Sequence, residues 1–168
     1  MNIRKMVPAA LMAALMAVCS WLSIPVPPVV FTLQSFAFLL TLGVLGGKWG
    51  SVTVLLYLLL GLTGLPVFAG FRFGPAAFLD PTGGFLLGFL MGALVYWLLE
   101  RLGKIPAMIA AQLTCYGCGC VWFSHWAGDA GFLAAALTCV VPYLIPDALK
   151  LWLAVKVASK LENVHGKL

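Results

Sequence analysis

Asp147 and Lys150 stand three residues apart in an otherwise apolar run, Pro146-Asp-Ala-Leu-Lys-Leu-Trp-Leu-Ala154, so on a helix they share a face about one turn apart. A charge at bilayer depth costs roughly 2.5–3.5 kcal/mol, and side chains that carry one face the bundle interior. Two chemistries suit the pair. It can be an ion pair that offsets this cost internally, with Asp147 in a first helical turn also serving the dipole or a cap. It can equally be a polar clamp for a small ligand, in which Asp147 accepts hydrogen bonds and Lys150 donates to a carbonyl or pairs with a carboxylate. Gln34, just after Thr32, adds an amide that both donates and accepts. Tyr57, Phe68, Trp122 and Tyr143 are predicted near outer span ends, where they suit either the apolar wall of a pocket or an interfacial aromatic belt. Thr82 and Gly83, opening a helix, offer amide hydrogens and a partial positive charge to a carboxylate. Arg72, the only basic residue predicted in an outer loop, is a further candidate contact.

No catalytic set accompanies these groups. His125 and His165 are isolated, and no Ser-His-Asp order or P-loop signature occurs, so enzyme chemistry is not expected. Cys115-x-x-Cys118-x-Cys120 lacks both the paired four-ligand spacing of a zinc site and a thioredoxin-like frame, and reads as small buried thiols with no metal or cofactor.

The elements that position these side chains follow from composition. The 168 residues are 63% hydrophobic and 9% charged, with a mean hydropathy of +1.08, against roughly 25% charged for a soluble domain. An all-α integral membrane bundle of about six spans is expected, as a single domain over residues 1–168 with no room for a soluble ATPase. Arg4 and Lys5 ahead of an apolar run imitate a signal peptide, but no Ala-x-Ala site precedes Pro25, so a retained first span is expected. The net charge of +5 needs no nucleic acid or other anionic partner. Arg4, Lys5, Lys48, Arg101, Lys104, Lys156, Lys160 and Lys167 all fall at segment ends on one side, the cytoplasm by the positive-inside rule, while lipid surrounds the apolar exterior.

The spacing predicts spans over residues 6–24, 31–45, 49–62, 83–100 and 105–123, with turns at Pro25–Pro28 and Gly46–Lys48. An outer loop over residues 124–131 carries His125 and Asp129, and a last span is broken near Pro142 and Pro146 before running helically from Asp147. Ala9, Ala13 and Ala17 recur every fourth position beside a parallel row of Ala10 and Ala14, a flat face for packing within the bundle or for docking a separate membrane subunit. Gly84, Gly88 and Gly92 form a similar stripe, read as close helix packing. Between the third and fourth spans, residues 64–85 are apolar yet rich in glycine and proline, which predicts a structured outer loop that covers something. Gly64 and Gly70 would hinge it, and Phe68, Phe71 and Phe73 would supply the cover.

Five segments taken together, Phe31-Thr-Leu-Gln34, Gly64-Leu-Pro-Val-Phe68, Pro81-Thr-Gly-Gly84, Gly119-x-x-Trp122 and Pro146-Asp-x-x-Lys150, resemble in order and over nearly the whole chain the BioY family, biotin-binding S components of energy-coupling factor transporters. The resemblance implies six helices in a prokaryotic cytoplasmic membrane, both termini cytoplasmic, and a biotin site near the outer face under the loop. It also implies that the alanine face of the first helix docks on a transmembrane coupling subunit served by two ATPase subunits. Asp147 would then take a ureido N–H, and Lys150 the ureido oxygen or the carboxylate. Nanomolar binding, about −12.3 kcal/mol spread over about 16 heavy atoms, demands nearly complete burial of the ligand. A stand-alone carrier that needs no ATPase, and an intramembrane enzyme or sensor using Asp147, remain alternatives.

Overall fold

The computed structural model describes residues 3–24, 30–126 and 131–165. The predicted turn at Pro25–Pro28, Asp129, Lys167 and the side chains of Arg4 and His165 lie outside that description. In chain order the elements are α1 (Ile3–Trp21), strands β1 (Ser23–Ile24) and β2 (Phe31–Thr32), α2 (Gln34–Leu62), α3 (Ala76–Leu79), α4 (Gly83–Leu99), α5 (Lys104–Trp126), α6 (Gly131–Cys139) and α7 (Leu144–His165). The strands pair antiparallel, Ser23 with Thr32 and Ile24 with Phe31.

The helical run of α2 folds back on itself at Gly46, whose φ of 72° and ψ of 175° leave the helical region. Gln34 Nε2 donates to Tyr57 Oη at 3.0 Å across the two halves, and a Cβ on Gly50 would lie 3.3 Å from the Leu42 Cα. The predicted second and third spans are thus present as residues 34–45 and 47–62, joined by a one-glycine turn that the Glu100 carboxylate closes by accepting from Gly47 N at 2.6 Å. At about 1.5 Å per residue, the first half is about 18 Å long and stops short of a hydrocarbon core of about 30 Å. The short β1–β2 ribbon that precedes it leaves the Thr32 carbonyl without a helical partner, which non-helical backbone in a membrane tolerates only where it meets protein or a cavity.

The glycine stripe of α4 packs on α5 as expected from sequence. A Cβ at Gly84 would stand 2.2 Å from Trp122 Cβ, one at Gly88 2.9 Å from the Cys115 carbonyl oxygen, and one at Gly92 2.6 Å from that of Ala111, so three successive turns meet backbone to backbone. Parallel to the first half of α2 runs α7, with Ser35 against Asp147 at one end and Gly43 against Ala158 at the other. Helices 83–102 and 104–126 are long and apolar enough to cross a membrane, as by length and composition are the interrupted helical runs 34–62 and 131–161, and large apolar side chains such as Leu98, Leu133 and Ile145 are exposed on the outside. The chain is a multi-pass membrane protein.

In α1 the alanine row differs from its docking expectation. Ala9, Ala13 and Ala17 are 4%, 2% and 7% exposed, turned inward on a helix whose main packing partner is α2. The neighbouring row, Ala10 and Ala14 with Leu11 and Val18, is the exposed one. Composition made the two rows equivalent, and the tertiary partner decides between them.

Candidate functional site

The site is built around an end of the bundle where irregular backbone accumulates. Three donors pin the Gly/Pro loop as it leaves α2: Ser20 Oγ and Tyr57 Oη donate to the Val67 carbonyl at 2.6 and 2.9 Å, and Trp21 Nε1 donates to that of Pro66 at 2.7 Å. At the far end Trp122 Nε1 donates to the Asp80 carbonyl at 2.9 Å. The Phe68 ring fills the notch left by Gly61, where a Cβ would come within 2.0 Å of it, and meets Tyr57 and Phe78 edge-on. Of the three expected covering rings only Phe68 lines the cavity. Phe71 instead stacks on Trp21, with ring centroids 5.3 Å apart, and Phe73 is exposed.

Beneath the loop lies a cavity lined by Gln34, Phe68, Arg72, Thr82, Tyr143, Asp147 and Lys150 among the sequence-predicted residues. At its deep end Asp147 and Lys150 are 8% and 6% exposed and form the ion pair read from their spacing, Nζ to Oδ1 at 2.8 Å. Lys150 Nζ also donates to the Thr32 carbonyl at 2.7 Å and to Ser35 Oγ at 3.1 Å, and sits 4.0 Å from the centroid of the Phe31 ring. The three protons of the ammonium therefore have three acceptors. Asp147 accepts from Lys150 and Ser35 on Oδ1, and from Gln112 Nε2 at 3.3 Å and the Tyr116 hydroxyl on Oδ2. The buried carboxylate is thus met by one cation and three neutral donors, the partners that burial of a charged group requires.

Three predicted residues stand one layer back. Tyr57 is wholly buried and acts through its bonds to Gln34 and Val67. Trp122 holds the loop rather than the cavity wall. Gly83 does not offer its amide to a carboxylate, because its N–H is given to the Asp80 carbonyl at 2.8 Å; its role is close approach, since a Cβ there would stand 1.9 Å from the Phe78 oxygen. Arg72 stands at the rim, with Nη1 paired to Asp80 Oδ2, Nη2 donating to Thr82 Oγ1 at 3.1 Å and Nε to the Ala69 carbonyl at 3.0 Å.

Sequence reasoning missed Ser35, Gln112 and Tyr116. The last two carried a readable signal, an amide and a phenol four apart in an apolar span, which puts them on one helix face. Gln112 is 8% exposed, and its Oε1 has no hydrogen-bond partner. A buried amide with one end bonded and the other orphaned in a cavity wall is an acceptor waiting for a donor. Cys115 and Cys139 also line the cavity, and among the described residues no cluster suited to a metal occurs.

A profile of the BioY family matches residues 1–167. The biotin transporter BioY of Thermotoga maritima is 36% identical over 167 residues, covering 96% of this chain and 98% of the relative. The probable biotin transporter BioY of Pyrococcus horikoshii is 35% identical over 154 residues, 92% of this chain and 93% of its own. In three dimensions the chain is similar to the crystal structure of the S-component for biotin from an ECF-type ABC transporter, with a TM-score of 0.88 and 26% identity over 96% of this chain and 92% of that one. With the profile running from end to end and full-length relatives sharing more than a third of their residues, the chain belongs to the BioY family.

Proposed function

We propose that the chain binds biotin as the S component of an energy-coupling factor transporter and delivers it across the cytoplasmic membrane. The observation that carries this reading is the polar deep end of an aromatic-walled cavity: a fully bonded Asp147–Lys150 pair beside the orphaned Gln112 acceptor. Biotin's fused rings present two ureido N–H donors and one carbonyl, and its thioether ring and chain suit the walls of Phe68, Phe85, Phe89 and Tyr143. A ureido N–H that reaches Gln112 Oε1 satisfies a buried acceptor that no protein donor meets. Titration calorimetry of the purified protein with biotin tests the reading. Saturable one-to-one binding is expected, weakened about tenfold or more in Gln112→Leu, which removes the bond to the ligand and the Nε2 bond to Asp147; heat indistinguishable from buffer in the unmodified protein defeats it.

Transport requires partners. A coupling subunit served by two ATPase subunits fits the family, and α1 offers it the exposed row of Ala10 and Ala14 rather than the buried row. Lys5, Lys48, Arg101, Lys104, Lys156 and Lys160 gather at the end of the bundle opposite the cavity, which favours that end, and with it both termini, on the cytoplasmic side. Ala14→Leu is expected to remove the coupling subunit from co-purified complexes while biotin affinity stays within about twofold, since the residue points away from the cavity. Retention of the complex together with weakened biotin binding would put that row inside the protein's own working parts.

A further inference from the structure

Two cations line the cavity, and they are committed differently. The protons of Lys150 all go to Asp147, Thr32 and Ser35 at the deep end, so a carboxylate placed there meets no available donor on the ammonium. Arg72 stands at the rim, and its charge is already balanced by Asp80. This second pair is preformed. The Asp80 carbonyl is fixed by Trp122 Nε1 and by the Gly83 amide, and the Arg72 backbone is tied to Phe68 N at 3.1 Å. Side chains anchored in this way lose less entropy on pairing than an ordinary surface pair, although both remain partly solvated, at 36% and 41% exposure. An incoming carboxylate that approaches the guanidinium approaches the Asp80 carboxylate as well, and the attraction and repulsion largely cancel.

We propose that Asp80 is a resident counter-ion that occupies the rim cation in place of the ligand's own carboxylate, so that this chain takes carboxyl-modified biotin, amide- or peptide-linked, nearly as well as the free acid. The proposal rests on the biotin reading, and it makes Asp80 a specificity-determining residue. Asp80→Asn preserves the shape of the side chain and both backbone anchors, while it releases the charge of Arg72.

Biotin and its primary amide, titrated into the unmodified protein and into Asp80→Asn, provide the test. In the unmodified protein the two ligands are expected to bind within about threefold of each other; in Asp80→Asn the acid gains about fivefold while the amide is unchanged, the upper end of what one partly exposed pair contributes. The amide also serves as the control for an intact cavity. An acid-to-amide ratio that Asp80→Asn leaves within twofold of the original overturns the proposal, and so does an unmodified protein that prefers the acid by more than tenfold, a measurement that needs no variant. An unmodified protein that binds neither ligand defeats the biotin reading itself, which separates the two failures.

Discussion

Lys150→Ala is expected to lower biotin affinity by about 10²–10⁴-fold, because removal of one partner from a buried ion pair costs roughly 3–5 kcal/mol. Without the ammonium, Asp147 keeps only the neutral donors Ser35, Gln112 and Tyr116, and the Thr32 carbonyl loses its partner as well. Asp147→Asn is expected to act in the same direction, since it leaves a cation beside Phe31 with no carboxylate. A merely structural pair would give similar single-variant losses, so the double variant Asp147→Asn/Lys150→Met decides. Neutral, shape-conserving replacement of both partners restores stability in many buried pairs. The expectation is that thermal stability recovers while biotin affinity does not. Recovery of both would reduce the pair to scaffolding, and single variants within threefold of the original affinity would remove it from the site altogether.

The second large effect is expected at Gly88→Leu. Between α4 and α5 a Cβ on Gly88 would press on the Cys115 carbonyl oxygen at 2.9 Å and Cα at 3.0 Å, backbone atoms that cannot step aside as a side chain does. Forcing the helices apart is expected to cost about 3 kcal/mol or more, which corresponds to a fall in melting temperature of about 6–12 °C for a chain of this size. The damage reaches the site, because α5 carries Gln112 and Tyr116, both bonded to Asp147. Gly117→Leu is the control. Nothing lies within 4 Å of a Cβ there, and loss of a helical glycine is favourable in propensity. Equal melting temperatures for the two variants would show that the stripe does not hold the helices together.

The deep end of the site was legible because two charges in an apolar run have few reasons to be there. Asp147 and Lys150 announced both their pairing and their burial through cost alone. Ser35 did not, since a serine hydroxyl in a span can always bond its own helix, and only the packing of α2 on α7 shows that it faces this carboxylate. The glycine turn within α2 and the glycine stripe of α4 were readable for the converse reason: a missing side chain is informative where backbones must meet. In α1 legibility stopped. Ala9 and Ala10 have the same chemistry on adjacent faces, and which of them turns inward depends on α2, which local spacing does not encode. The aromatic residues fell between these cases. Tyr57 and Trp122 lie near the site as expected, but one layer behind it, because each has a polar tip that a loop carbonyl claims.

The pairing of charges in the cavity has an electrical consequence. Asp147 cancels Lys150 and Asp80 cancels Arg72, so among the described residues the charges at the cavity and its rim sum to zero. A full charge moved through 100 mV exchanges about 2.3 kcal/mol with the membrane field. For any displacement that moves the two pairs together the field does no net work on these four groups, and the carboxylate of an anionic ligand is the charge they leave unbalanced. On the biotin reading, the site's share of any voltage dependence is therefore expected to come from the ligand's own carboxylate.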